Sequence, residues 1–83
     1  METMILKIVI GATGDTLDFM LPAHVSLSSL MEEIRMLVEQ TFQNVMISQD
    51  QMMLINLGNG QFLWPEWTLA QSRVQDGSRL MLL

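Results

Sequence analysis

Apolar positions recur along this chain with two periods, and the change of period marks its elements. Met4-Ile5-Leu6-Lys7-Ile8-Val9-Ile10 is rich in β-branched residues and predicts a strand. Gly11-Ala12-Thr13-Gly14-Asp15 is a turn signal. Thr16-Leu17-Asp18-Phe19-Met20-Leu21 alternates polar with apolar, predicting a second strand paired to the first as a hairpin and ended by Pro22. The period then lengthens. Leu27, Leu30, Met31, Ile34, Leu37, Val38 and Phe42 share one arc of a helical wheel, and Glu32, Glu33, Arg35, Glu39 and Gln40 share the other. This predicts an amphipathic helix over about 27–42, with Ser26 as N-cap and two acids in its early turns. Met36 is the exception, apolar in the middle of the polar face.

The second half returns to short runs. Gln51–Leu57 predicts a third strand, Gly58-Asn59-Gly60 a turn, and Gln61-Phe62-Leu63 a short returning strand. Trp64-Pro65-Glu66-Trp67 is a rigid, bulky loop, with Trp67 expected in the core and Trp64 at the surface. Thr68-Leu69-Ala70-Gln71 suits one helical turn. Asp76-Gly77 turns the chain into a last strand, Ser78–Leu83. The fold class is therefore α+β, with a four- to five-stranded sheet and one main helix packed on one face. The period of two divides the strands. If Leu6, Ile8, Leu17, Phe19, Leu21, Leu54, Leu80 and Leu82 point at the helix, then Ile5, Lys7, Val9, Met20, Met53, Ile55, Met81 and Leu83 point away. That outer face is unusually apolar, and large exposed apolar patches mark interaction sites.

Composition narrows the function. The chain has 83 residues, a length for one domain (1–83). It has no cysteine, which removes a disulfide framework, a thiolate metal site and a cysteine nucleophile, and favours a cytoplasmic location. The net charge of −5 disfavours nucleic acid and anionic membrane surfaces. No apolar run approaches the ~18 residues of a membrane span, and Met1-Glu2-Thr3 lacks the positive start of a signal peptide.

Residues that carry chemistry elsewhere are isolated here. His24 stands among Ser26, Ser28 and Ser29, but a lone loop histidine beside serines is no nucleophilic site. A second histidine or a cysteine would be needed for a transition-metal site. Gly11–Asp15 lacks the Gly-Lys-Ser/Thr of a phosphate loop and leads into a strand. Glu32 and Glu33, adjacent on a helix, diverge by about 100° and make a poor acid–base pair. We therefore expect no enzyme activity, no cofactor and no metal. Nine methionines are many for this length. Met31 and Met52 read as core filler. The outward ones suit an adaptable binding surface.

The order of elements resembles the ubiquitin-like β-grasp fold over nearly the whole chain. The resemblance rests on the hairpin ending in Leu21-Pro22, on Ser26 with Leu27 and Leu30 behind it, on the Asp50-Gln51 approach to strand three, and on the closing run Thr68–Leu82. Within that fold, Leu17–Ala23, Leu27-Ser28-Ser29-Leu30 and Val74–Leu83 resemble the YukD/EsaB family. These are small bacterial ubiquitin-like proteins that accompany the type VII (WXG100/ESX) secretion systems of Gram-positive bacteria. The resemblance implies a non-catalytic accessory or regulatory role through protein contacts with the secretion machinery. It carries over no catalytic residue. Conjugated relatives and sulfur carriers need a tail ending in Gly-Gly. The sequence stops at Leu83 in the expected strand and offers Lys7 as its only lysine, so conjugation is not expected. A generic ubiquitin-like adaptor unrelated to secretion, or a degenerate carrier without the diglycine, are the alternatives.

The resemblance also implies where partners bind, since the outer sheet face is the usual contact surface of ubiquitin-like domains. The candidate interaction residues are Ile5, Val9, Met20, Met53, Ile55, Met81 and Leu83, with Trp64 and Met36 as second contacts. Expected partners are proteins, with a homodimer through the outer face as a further expectation. Nucleic acid and membrane insertion are not expected.

Overall fold

The computed structural model describes residues 2–42, 46–48 and 52–83. It contains β1 (Thr3–Ile10), β2 (Thr16–Pro22), α1 (Leu27–Thr41), β3 (Leu54–Asn56), β4 (Gln61–Phe62) and β5 (Arg79–Leu82). The strands form one mixed sheet in the order β2-β1-β5-β3-β4. β1 and β5 run parallel, and the other pairs are antiparallel. The Asp50-Gln51 approach to strand three lies outside the described residues. The third strand is shorter than its apolar run, although backbone bonds continue on either side, from Leu83 N–H to Met53 and from Leu57 N–H to Arg79.

Two turns set the register. Gly77 takes a left-handed φ of 83°, which an L side chain rarely adopts. Its amide donates to the Ile5 carbonyl at 2.7 Å, and Asp76 Oδ1 accepts from the Ile5 amide at 2.8 Å. This clamp places Arg79 beside Lys7 and Leu80 beside Ile8. At the other end, Gly11 donates to the Leu82 carbonyl at 2.8 Å. A Cβ on Gly11 would also meet that oxygen at 2.8 Å, so the close approach of β1 to β5 requires glycine.

The inward set is as the alternation predicts. Leu6, Ile8, Phe19, Leu21, Leu54, Leu80 and Leu82 are buried, and Leu17 is partly buried against them. From α1 come Leu27, Leu30, Met31, Ile34 and Val38, and Met52 joins them as expected. Full burial of one such side chain is worth about 1.5–3 kcal/mol, which is why the apolar pattern dominates the outcome.

Three expectations are corrected. Leu37 belongs to the apolar arc but is 47% exposed. The arc is wider than the sheet beneath it, and Leu37 sits past β2, over the gap between that strand and the helix. Ser26 occupies the N-cap, yet its side chain caps nothing. Its Oγ engages the hydroxyls of Ser28 and Ser29 instead. The two acids do lie in the early turns of α1, though none is in the first. Glu32 and Glu33 come one turn later, and Glu32 pairs with Arg35, which also reaches Glu39 at 2.8 Å. Finally, Trp67 is 43% exposed and does not enter the core.

One arrangement explains both Ser26 and Trp67. The free amides at the start of a helix need acceptors. Here the Trp64–Trp67 loop supplies them: Leu27 N–H donates to the Trp67 carbonyl at 2.7 Å, and Ser28 N–H to the Pro65 carbonyl at 2.8 Å. The loop turns its backbone toward the helix, and its indoles go outward. They meet edge to face, with ring centres 6.5 Å apart. Thr68 then bridges to Ser26, and Thr68–Ser72 closes a single turn before Arg73 breaks it with a φ of 60°. The one helical turn expected at Thr68–Gln71 is thus present as a single closed turn and goes no further.

Candidate functional site

Residues paired across a sheet share a face, so the register assembles the outer surface directly. One row crosses all five strands: Thr16, Val9, Met81, Ile55 and Phe62. Four of these five are apolar. Val9, Met81 and Ile55 are half-buried by their neighbours, and Phe62 is exposed. On one side of this row, Met53 and Leu83 stand opposite each other, bonded through Leu83 N–H to the Met53 carbonyl at 2.9 Å. On the other side lies a charged row, Asp18, Lys7 and Arg79. Lys7 Nζ is 3.6 Å from Asp18 Oδ1, and both side chains are solvated, so the pair adds little stability. Beyond it, Ile5 faces Met20, both exposed.

The seven residues expected on the outer face are therefore all there, on one continuous surface. Two members escaped the sequence reading, Phe62 and Leu57, both exposed. Each was legible in part. Leu57 follows from the alternation of Met53 and Ile55. Phe62 follows from Leu63, its buried neighbour, but its pairing with Ile55 depends on the length of the Gly58-containing turn, which composition does not fix. Asn56, buried at the base of that turn, fixes it: its Oδ1 accepts from Gly58 N–H at 2.9 Å and its carbonyl from Gly60 N–H at 2.7 Å.

The face ends in a groove. Met53 and Phe62 turn its corner, and Met31, Met52, Leu63 and Trp64 line the far wall of an apolar cavity of about 330 Å³. Trp64, expected as a second contact, is thus continuous with the main surface. Met36 is not. It lies on the opposite side of the molecule, exposed beside Leu37, Glu33 and Gln40 in a shallow depression of about 260 Å³.

The isolated polar candidates stay isolated. His24 is solvated, and its Nε2 lies 3.3 Å from Glu2 Oε2. Gly11–Asp15 is a hairpin turn closed by Gly14 N–H to the Ile10 carbonyl at 2.7 Å. Glu32 serves Arg35, whose guanidinium holds the carboxyl below its ordinary range. Among the described residues, no group of three His, Cys, Asp or Glu side chains is placed to hold a metal. What the surface offers is apolar area crossed by one charged row.

Comparison with known proteins agrees with this geometry. The family model described as "WXG100 protein secretion system (Wss), protein YukD" matches residues 4–82. No curated protein matches the chain. Among solved structures, the EccD5 ubiquitin-like domain from Mycobacterium xenopi superimposes with a TM-score of 0.84 at 20% identity, covering 100% of this chain and 94% of that one. The ubiquitin-like domain of the Mycobacterium tuberculosis type VII secretion system protein ECCD1 gives 0.78 at 21% identity, covering 100% and 99%. A chain of the MycP5-free ESX-5 inner membrane complex gives 0.79 at 17% identity, covering 100% of this chain and 21% of that one. The fold is the ubiquitin-like β-grasp.

Proposed function

This chain belongs to the YukD family of the WXG100 protein secretion system, and on that premise we propose that it is a non-catalytic docking module of type VII secretion, using its outer sheet face to bind a protein of the machinery. One observation carries the reading: the apolar row Val9-Met81-Ile55-Phe62, presented on the sheet face that α1 does not cover. The row packs against itself but leaves apolar surface in water, and a partner that covers it removes that surface. The similarity to a chain of an ESX-5 inner membrane complex supports a partner within that kind of assembly. No helix among the described residues is long and apolar enough to cross a membrane. The absence of cysteine favours action from the cytoplasmic side.

The test is affinity capture from the native host with tagged wild type and tagged Ile55→Lys. Wild type is expected to retain a type VII component that the variant loses, with secretion of WXG100 substrates impaired in the variant strain. Equal recovery of that component by a folded Ile55→Lys protein overturns the assignment to this face.

A further inference from the structure

Sulfur is sorted between the two faces of the sheet. Met52 and Met53 are neighbours in sequence, and the alternation that runs on into β3 sends them to opposite sides. Met52 is 6% exposed and Met53 45%. Met31 joins Met52 in the core. Met20 and Met81 join Met53 on the outer face, Met20 opposite Ile5 and Met81 between Val9 and Ile55. Met20 is exposed and Met81 half-buried. Met36 and Met46 are exposed as well, but neither belongs to a strand.

Leucine would supply as much apolar area at the three outer positions. What a thioether adds is chemistry: oxidation at sulfur turns a flexible apolar side chain into a polar, chiral one. The chain has no cysteine, so no thiol of its own competes for the oxidant. Position then decides the consequence. Burial shields Met31 and Met52, whose sulfoxides would put a polar oxygen into the core. A sulfoxide at Met81 stands in the middle of the row Val9-Met81-Ile55-Phe62. One at Met53 stands at the corner where that row meets the Trp64 groove.

We propose that Met20, Met53 and Met81 form a reversible oxidation site, through which a hydroperoxide turns the outer face from apolar to polar and releases what is docked there. The proposal rests on the docking role of that face. In the forward step the thioether sulfur attacks the hydroperoxide: an S–O bond forms, the O–O bond breaks, and the leaving oxygen takes the proton of the transferred hydroxyl. Sulfur loses two electrons and the peroxide gains them, departing as water or an alcohol. A dithiol-dependent methionine sulfoxide reductase reverses the step. The oxygen leaves as water, and the dithiol becomes a disulfide. The core stays reduced throughout, so the fold survives each cycle.

The experiment treats the folded full chain with hydrogen peroxide, removes the excess with catalase, and follows each methionine by peptide mass spectrometry. Met20 and Met53 are expected to oxidise first and Met81 next, with Met31 and Met52 at least tenfold slower. Each protein is then used to capture the type VII component from a host lysate and is compared with its own untreated form. Oxidised wild type should retain at least tenfold less of it. The two methionine sulfoxide reductases, one for each epimer, should restore capture with dithiothreitol. The variant Met20→Leu/Met53→Leu/Met81→Leu should change less than twofold on treatment, and Met36→Leu/Met46→Leu should lose capture as wild type does. Retention on a phenyl column, which needs no partner, should fall on oxidation of wild type and not of the triple variant. The proposal is overturned if oxidised wild type captures as untreated protein does, if the triple variant remains as sensitive as wild type, if reduction restores nothing, or if Met31 or Met52 oxidises as fast as Met81. Failure of the docking role itself shows before any peroxide is added, as equal capture by untreated wild type and Ile55→Lys, and it takes the release with it.

Discussion

Ile55 and Met81 face each other across β3 and β5, side by side on the open surface of the sheet. Each packs against its neighbour in the row while a share of its surface stays in water. Replacing either with a charge costs little of the core but places an ion in the middle of an apolar patch. Ile55→Lys and Met81→Asp should each lower unfolding free energy by no more than about 1 kcal/mol. They should weaken a docked partner by tenfold or more, which is about 1.4 kcal/mol. Denaturant melts and binding measurements on the same two variants check both halves.

The helix offers an internal contrast. Ile34 and Leu37 are one turn apart on the same apolar arc, yet Ile34 is 1% exposed and Leu37 47%. Ile34→Ala should cost about 2–5 kcal/mol, the range for truncating a packed core residue. Leu37→Ala should cost well under half of that. Urea midpoints with unchanged slopes are the readout, and equal losses would mean that Leu37 is packed after all.

Trp64 and Trp67 are both exposed and touch edge to face. Native fluorescence should resemble that of solvated indole and be quenched efficiently by acrylamide. Binding at the adjoining groove should shift emission to the blue, and the shift should vanish in Trp64→Phe but survive in Trp67→Phe.

Arg35 bridges Glu32 and Glu39 along α1. Hydrogen bonding to Arg35 depresses the Glu32 carboxyl. A carboxyl that is more acidic in the folded state stabilises above its unfolded pKa, and the gain disappears as pH falls through the folded pKa. Arg35→Met should therefore be less stable than wild type near neutrality. The two should converge in acid, below the ordinary carboxylate range, as read from paired thermal melts.

The sequence makes the sheet's two faces readable because the rule that divides them is local. Alternation from Ile5 to Val9 and from Met53 to Ile55 assigns a side to each residue, whichever strand lies next to it. The helix is readable for the same reason. What stays hidden is set by distant partners. Ser26 has the chemistry of a cap, but the acceptors for its helix come from Pro65 and Trp67. Trp67 looks like core by its bulk and its position before Leu69, but its carbonyl's engagement with Leu27 turns the ring outward. Leu37 fits the helical period, and its exposure follows from where β2 ends laterally. Phe62 needed a turn length that Asn56 settles through its own side chain.

The stitching of α1 to the Trp64–Trp67 loop has a kinetic consequence. A helix capped from within its own sequence can complete its first turn as soon as it nucleates. Here the first two amides take their acceptors from about forty residues further along, so we expect them to be satisfied late, by a long-range contact. The amides of Leu27 and Ser28 should then gain protection together with the loop and not with the middle of the helix. In native-state hydrogen exchange, opening of Trp64–Trp67 should unravel the start of α1 in the same step, leaving Ile34 and Val38 protected.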